Sequence, residues 1–296
     1  MSQQFSNAAT QQFATNIELL LQQKGSRLRD TVTVGTGYRG KQASPVEQVG
    51  IIEAQANTSR YAPIEPRDTP HDRPWLFPET YDWADFVDHI DKLKAITDPT
   101  SAYVMSAVNA LGRRLDSIII AQLFADRKTG ELATTTTSFL ANHVVGVTVG
   151  AGGNTGLNLA KLRAAKAILM ADEVDFDSEQ VTCVITSQES DDLLNETQMV
   201  SLDYNEKPVL VEGRITRFMG FNFKHSERLQ LDGSGYRRIP VYAKSKVHAG
   251  IWEDIVTSVE KRIDLRGHPY QVYAQMTTGA TRVEEKGVVE IKSYHA

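Results

Sequence analysis

One cysteine, Cys183, stands in 296 residues. That excludes an internal disulfide and any multi-cysteine metal site, and the usage suits assembly in a reducing cytosol. Positive charge is also scarce. The formal net charge is -5, whereas a dedicated nucleic-acid binder is clearly basic. No apolar run approaches the length that crosses a bilayer. The opening MSQQFSNAAT lacks a basic start and an apolar core, so it does not read as a secretory signal. The histidines are scattered, with no HExxH pair and no serine-centred elbow. Internal repeats are missing too. These absences leave no catalytic residue, metal ligand or cofactor site to nominate.

What is present is ordinary globular material, 41% hydrophobic and 23% charged. The longest helical pattern is Asp98–Asp126, DPTSAYVMSAVNALGRRLDSIIIAQLFAD. Asp98 can cap it, and Pro99 suits the first helical position. Val104, Val108, Leu111, Leu115, Ile118, Ile119 and Leu123 recur at three- and four-residue steps and form one apolar stripe. Arg113, Arg114 and Asp116 fall mostly off it, and Gly112 is its weak link. Such a rod, about 40 Å long, spans a whole domain.

The N-terminal part reads as a separate arm. A helical pattern runs through Phe13, Ile17, Leu20 and Leu21, and a polar tail follows it. Residues 1–41 hold five cations against two carboxylates. That fits an arm facing a polyanion or a neighbouring subunit, and equally a solvated extension.

Residues 46–83 are the most unusual. VEQVGIIEA predicts a strand, and PWLFPETYDW is its expected partner. Trp75, Phe77, Tyr81 and Trp83 occupy odd positions and would share one strand face. Pro63, Pro66, Pro70, Pro74 and Pro78 crowd the excursion, which predicts an edge hairpin or a long functional loop. With Arg60, Tyr61, Arg67 and Arg73, the four aromatics are the candidates for contact with another chain.

Two tempting sites fail on inspection. Asp82, Asp85, Asp88 and Asp91 recur every third residue beside His89, but the spacing matches no metal motif and fits a solvated helix face. Gly150, Gly152 and Gly156 follow a strand pattern and precede a helix, one residue off the dinucleotide fingerprint. The strand VTCVIT at 181–186 then ends in SQES, without the acidic residue that would confirm it. A crossing loop is the better reading, with Leu159, Leu162, Ile168 and Leu169 seating the helix. Cys183 lies in that β-branched strand, as a buried thiol. Ser187 is expected to cap a short helix, and the last third is mostly β.

Three stretches, in this order, carry a family likeness. RPWLFPETYDWADFVDHIDKLKAITDPTSAY runs into the long helix. ITRFMGFNFKHSERL holds a turn at Gly220, and VYAQMTTGATRVEEKGVVEIKSY closes the chain. Together they resemble the major capsid proteins of tailed double-stranded-DNA phages, over essentially the whole length. The resemblance implies an α+β protein of the Hong Kong 97-like fold. It implies an N-terminal arm at 1–45, an extended loop at 46–90, and a peripheral domain at 91–149 holding the 98–126 spine helix. An axial domain at 150–235 follows, and 236–296 hold the return strands of the peripheral domain and the last axial-domain strand. It further implies a virion shell subunit, assembled in the host cytoplasm into hexamers and pentamers. Implied partners are copies of itself, a scaffolding protein, a portal, a decoration protein in some relatives, and packaged double-stranded DNA; no membrane is implied. The rival readings are an encapsulin-like nanocompartment shell and, more remotely, a nucleotide-binding enzyme using the Gly150 loop.

Overall fold

The computed structural model describes residues 22–44, 46–50, 52–54, 68–87, 100–150, 152–196, 210–211 and 214–294. Among them the strands begin with β1 (Thr33–Thr36), β2 (Gln48–Val49), β3 (His71–Asp72) and β4 (Glu79–Val87). Helix α1 (Thr100–Phe124) comes next, then β5 (Arg127–Thr129), β6 (Thr135–Thr137) and β7 (Val144–Val145). Helix α2 (Leu159–Ala171), β8 (Val181–Ile185) and α3 (Ser187–Leu194) follow. The remainder is β: β9 (Leu210–Val211), β10 (Arg214–Ile215), β11 (Arg217–Phe218), β12 (Phe221–His225), β13 (Arg237–Ala243), β14 (Val247–Lys261), β15 (Tyr270–Arg282) and β16 (Val288–Ser293).

The chain divides into two compact units. One comprises Met1–Ser26, Thr80–Arg113 and Glu253–Thr277; the other comprises Arg27–Glu79, Arg114–Trp252 and Thr278–Ala296. Helix α1 and strands β14 and β15 therefore have residues in both.

In the first unit, β4 is an edge strand beside β15. Both alternate with period two. Tyr81 and Trp83 are half-buried and Val87 buried, while Asp82, Ala84 and Phe86 are exposed. Val272, Ala274 and Met276 are buried on β15. Thr80 and Thr277 meet through their hydroxyls at 3.0 Å on the opposite, polar face. The first half of α1 buries Ala107 and Leu111. Gly112 has a steric reason: a Cβ there would lie 2.6 Å from the backbone carbon of Gly25. The passing chain is held by the Asn109 side-chain oxygen, which accepts from the Gly25 N–H at 3.0 Å.

The second unit centres on a six-stranded mixed sheet, ordered β11–β12–β8–β13–β16–β7. Its middle strand β8 is buried at all five positions, Cys183 included. Strand β12 runs parallel to β8, whereas β13 is antiparallel to both β8 and β16. Met219 (φ 54°) and Gly220 (φ 93°) make the two-residue connection between β11 and β12. Two left-handed residues match the twist of a hairpin. Gly220 is also pressed to within 2.9 Å of Phe176 at its missing Cβ. The second half of α1 buries Leu115, Ile119, Ile120 and Leu123, and its end is met by the Arg282 guanidinium, which donates to the Leu123 carbonyl at 2.7 Å.

Several sequence expectations need correction. Strand β2 pairs with β3 across Gln48↔Asp72 and Val49↔His71, not with the 74–83 stretch. Pro74 and Pro78 bracket a segment that bridges Ala43 through Leu76, so Trp75 and Phe77 precede β4 instead of sharing its face. The aspartates at 82 and 85 lie on a strand, on opposite faces, because Tyr81, Trp83 and Val87 set a period of two; Asp88, His89 and Asp91 fall outside the described residues. The α3 cap is Thr186, one residue earlier than expected, in a capping box with Glu189. In α2, Leu162 and Leu169 are buried, but Leu159 and Ile168 are only half so. Residues 27–43 are no solvated extension. Leu28 and Val32 are buried, β1 pairs in parallel with β14, and the Thr31 hydroxyl meets Tyr242 at 2.6 Å.

Candidate assembly surfaces

The base of the excursion is stitched to the β5–β6 hairpin. Trp75 donates through its backbone N–H to the Lys128 carbonyl at 3.0 Å and through Nε1 to the Gly130 carbonyl at 2.6 Å. Asp72 accepts from the Gly130 N–H at 3.2 Å and from Arg127 at 3.4 Å. Arg73 pairs with Glu47 and stacks its guanidinium 6.0 Å from the Trp75 ring. The two arms are joined by the Gly50 N–H, which donates to the Pro70 carbonyl at 2.7 Å. This hydrogen-bonded base carries several exposed apolar side chains. Val49 is 61% exposed, Ile52 64% and Phe77 44%. Beside Phe77 lies a pocket of about 180 Å³ lined by Trp75, Ile118, Gln122, Arg127 and Thr278.

Of the contact candidates, Arg73, Trp75 and Phe77 come together in this second-unit cluster. Tyr81 and Trp83 belong to the first unit, half-buried on β4. Arg60, Tyr61 and Arg67 lie outside the described residues. Residue parity misses Val49, Ile52 and Phe86, which stand out more than the tryptophans do.

The β14–β15 hairpin tip is a second surface that sequence reasoning passed over. Arg262 makes a two-bond pair with Asp264, at 2.9 and 2.7 Å. The Arg262 guanidinium holds the Asp264 carboxyl down at about 2. The Arg262 N–H reaches the Pro269 carbonyl at 2.9 Å, and the His268 N–H reaches Leu265 at 3.1 Å. The braced turn holds Ile263 out at 77% exposure. Ile263 and Leu265 merely alternate with Arg262, Asp264 and Arg266, a pattern too short to signal a surface, hence its invisibility in sequence.

The glycine loop is occupied by its own side chains. Lys161, fully buried, donates from Nζ to the carbonyls of Thr155 at 2.6 Å, Gly156 at 2.9 Å and Lys292 at 3.0 Å. Burial lowers its ammonium to about 8, against the pull of Asp192. Asp192 in turn accepts from the Leu157 N–H at 3.0 Å. The loop's polar groups thus face inward. Among the described residues, no group of three or more His, Cys, Asp or Glu side chains is placed to hold a metal ion.

A long helix with residues in two units, a stitched β excursion and a braced hairpin are the architecture of the Hong Kong 97-like capsid fold. The chain belongs to the phage capsid protein family, whose sequence pattern it matches over residues 5–294. The capsid structure of Cyanophage P-SCSP1u is similar, with a TM-score of 0.75 at 17% identity, covering 98% of this chain and 94% of that one. A capsid chain of Cyanophage Pam1 gives a TM-score of 0.72 at 13% identity, covering 97% and 96%. A chain from Mycobacterium phage Che8 gives 0.67 at 14%, covering 95% and 96%. No curated protein matches the chain in sequence. The protein is thus a structural component of a virion capsid.

Proposed function

We propose that many copies of this major capsid protein assemble into hexamers and pentamers and close an icosahedral shell around packaged double-stranded DNA. The observation that carries this reading is the exposed apolar set Val49, Ile52 and Phe77 on the hydrogen-bonded base of the excursion. A monomer would leave it in water, whereas a neighbouring copy buries it. In this reading, residues 1–45 are the arm, 46–90 the extended loop, and 91–149 the peripheral domain. Residues 150–235 form the axial domain, and 236–296 supply the return strands of the peripheral domain and the last axial-domain strand. Contact with the neighbour runs through Arg60, Tyr61, Arg67, Arg73, Trp75, Phe77, Tyr81 and Trp83. Assembly takes place in the host cytoplasm with a scaffolding protein and a portal, the work is binding without catalysis, and a decoration protein is a further partner.

The experiment is light scattering and negative-stain electron microscopy of the full chain, with and without the scaffold co-expressed. Capsomers or closed shells are the expected species. A monomer at every concentration and salt would overturn the reading.

A further inference from the structure

Three elements of the second unit converge on one turn of α1, at Asp116 and Ser117. Asp116, fully buried, accepts the backbone N–H of Arg27 at 3.0 Å and pins that residue's main chain. The Arg27 guanidinium donates to His225 Nδ1 at 2.8 Å and to the His225 carbonyl at 3.1 Å. Arg228 donates to the Ser117 hydroxyl at 3.0 Å. Lys224 is exposed next to His225, and Arg114 is exposed one helical turn before Ser117. Arg27 and Arg228 thus reach this turn, Arg114 lies on the same helix, and Lys224 adjoins His225, four permanent cations from three stretches of chain. Two carboxylates lie among them: the buried Asp116, and Glu227, which His225 Nε2 engages at 2.8 Å and the Ser187 N–H at 2.7 Å. The adjoining turn adds one charge of each sign, Arg29 and Asp30. With Asp116 counted, five cations face three carboxylates here, a local excess of positive charge in a protein of net charge -5.

The surroundings decide what such a face fits. No exposed large apolar side chain falls in 22–37, 106–131 or 214–230, the stretches that carry these cations, and Leu231 lies just beyond the last of them. A protein–protein interface is anchored by buried aromatic or aliphatic groups, with lysine depleted. A phosphate backbone asks only for cations held in place, with long side chains able to follow it. We propose that the Arg27, Arg114, Lys224 and Arg228 face contacts the phosphates of packaged double-stranded DNA, which makes it the inner face of the second unit. The inference rests on the shell reading above and adds the partner's contact residues. Four phosphate contacts per copy bind weakly and without sequence preference. That holds DNA in register with the wall and still lets it leave.

The test is fluorescence anisotropy of a short labelled duplex with the full-length protein across a salt series. The wild type should bind with a log–log salt slope of about -3.6, from roughly 0.9 per phosphate contact. The double variant Lys224→Gln/Arg228→Gln should fall to about -1.8 on the same rule, with roughly tenfold weaker binding at low salt. Lys224→Gln alone spares the bond to Ser117 and should remove about one contact. Lys261→Gln/Lys286→Gln, exposed lysines elsewhere, should match the wild type. Equal slopes in patch and control variants would overturn the proposal. So would unchanged duplex affinity in patch variants that lose a co-purifying acidic protein. Electron microscopy separates the two claims: shells that close normally while patch variants keep the wild-type slope remove this inference and leave the shell reading intact. A wild type that never assembles yet shows the slope does the reverse.

Discussion

Asp116 Oδ1 lies 3.1 Å from the backbone nitrogen of Leu28, and both residues are buried. A helix residue thereby caps a stretch of chain 88 positions earlier. Replacing Asp116 with Ala strands the N–H groups of Arg27 and Leu28. Each stranded group costs about 1–3 kcal/mol, so Asp116→Ala should lose roughly 2–4 kcal/mol in urea unfolding, and Asp116→Asn less. A loss under about 0.5 kcal/mol would mean that water replaces the carboxylate.

Gly112 makes an informative reversal. Gly to Ala in a helix interior ordinarily stabilises by about 1 kcal/mol. Here the new Cβ would sit 2.6 Å from the Gly25 backbone, and backbone does not swing aside as a side-chain tip does. Gly112→Ala should therefore destabilise by about 1–3 kcal/mol. Thermal melting of the soluble subunit checks the sign; a higher Tm would show that the 25–26 segment yields.

Lys161 predicts an alkaline gain. Its ammonium is lowered by burial to about 8 in the fold, against about 10.4 when unfolded. Between those values the unfolded chain binds more protons, so stability rises with pH across this window and is flat below it. Lys161→Met should remove that slope. It should also cost about 2–4 kcal/mol at neutral pH, because three carbonyls lose their donor. Denaturant midpoints in the two proteins from pH 7 to about 10.5 decide it.

His248 predicts the acid limb. It is buried, its Nε2 meets the Tyr38 hydroxyl at 2.8 Å, and its Nδ1 has no hydrogen-bond partner among the described residues. Burial lowers its pKa, so the fold prefers the neutral ring. This contribution is complete above about 6.5 and is lost as pH falls below that value toward the folded pKa. Because Tyr38 belongs to the segment whose β1 pairs with β14, acid should loosen that segment first. Protection of the Thr33–Thr36 amides, corrected for the intrinsic pH dependence of exchange, should fall between pH 7 and about 5 in the wild type and much less in His248→Gln.

Ile263 tests the hairpin tip. Its side chain is 77% exposed, so Ile263→Ser should change subunit stability by less than about 0.5 kcal/mol. If a second copy covers the tip, as the shell reading requires, the variant should assemble at a higher threshold concentration. Unaltered assembly would leave Ile263 a bystander.

What the sequence revealed follows from range. Helix α1 was readable because its stripe is local: Leu111, Leu115, Ile119 and Leu123 are buried as their spacing predicts. The Gly220 turn was readable because left-handed residues carry a local signature. The β2–β3 pairing was not, since proline-rich chain separates the strands and either neighbour satisfied the hydrophobic pattern. Asp116 and Lys161 were missed for another reason. A buried charge looks like a surface residue until its distant partners are known, and those are backbone atoms, which no side-chain pattern encodes. The aromatic parity of 75–83 misled because the strand begins at Glu79, after Pro78 has reset the register.

Strand β16 ends at Ser293 yet sits between β13 and β7 in the interior of the six-stranded sheet. Without β16, β7 has no partner strand and β13 keeps one open edge, so the six-stranded sheet cannot close. The other unit likewise depends on Glu253–Thr277, far along the chain from Thr80–Arg113. Each unit is therefore completed by segments distant in sequence, and a copy that lacks them fails as an individual fold. The sheet order itself acts as a screen: a defective copy is sorted out before it can meet a neighbour.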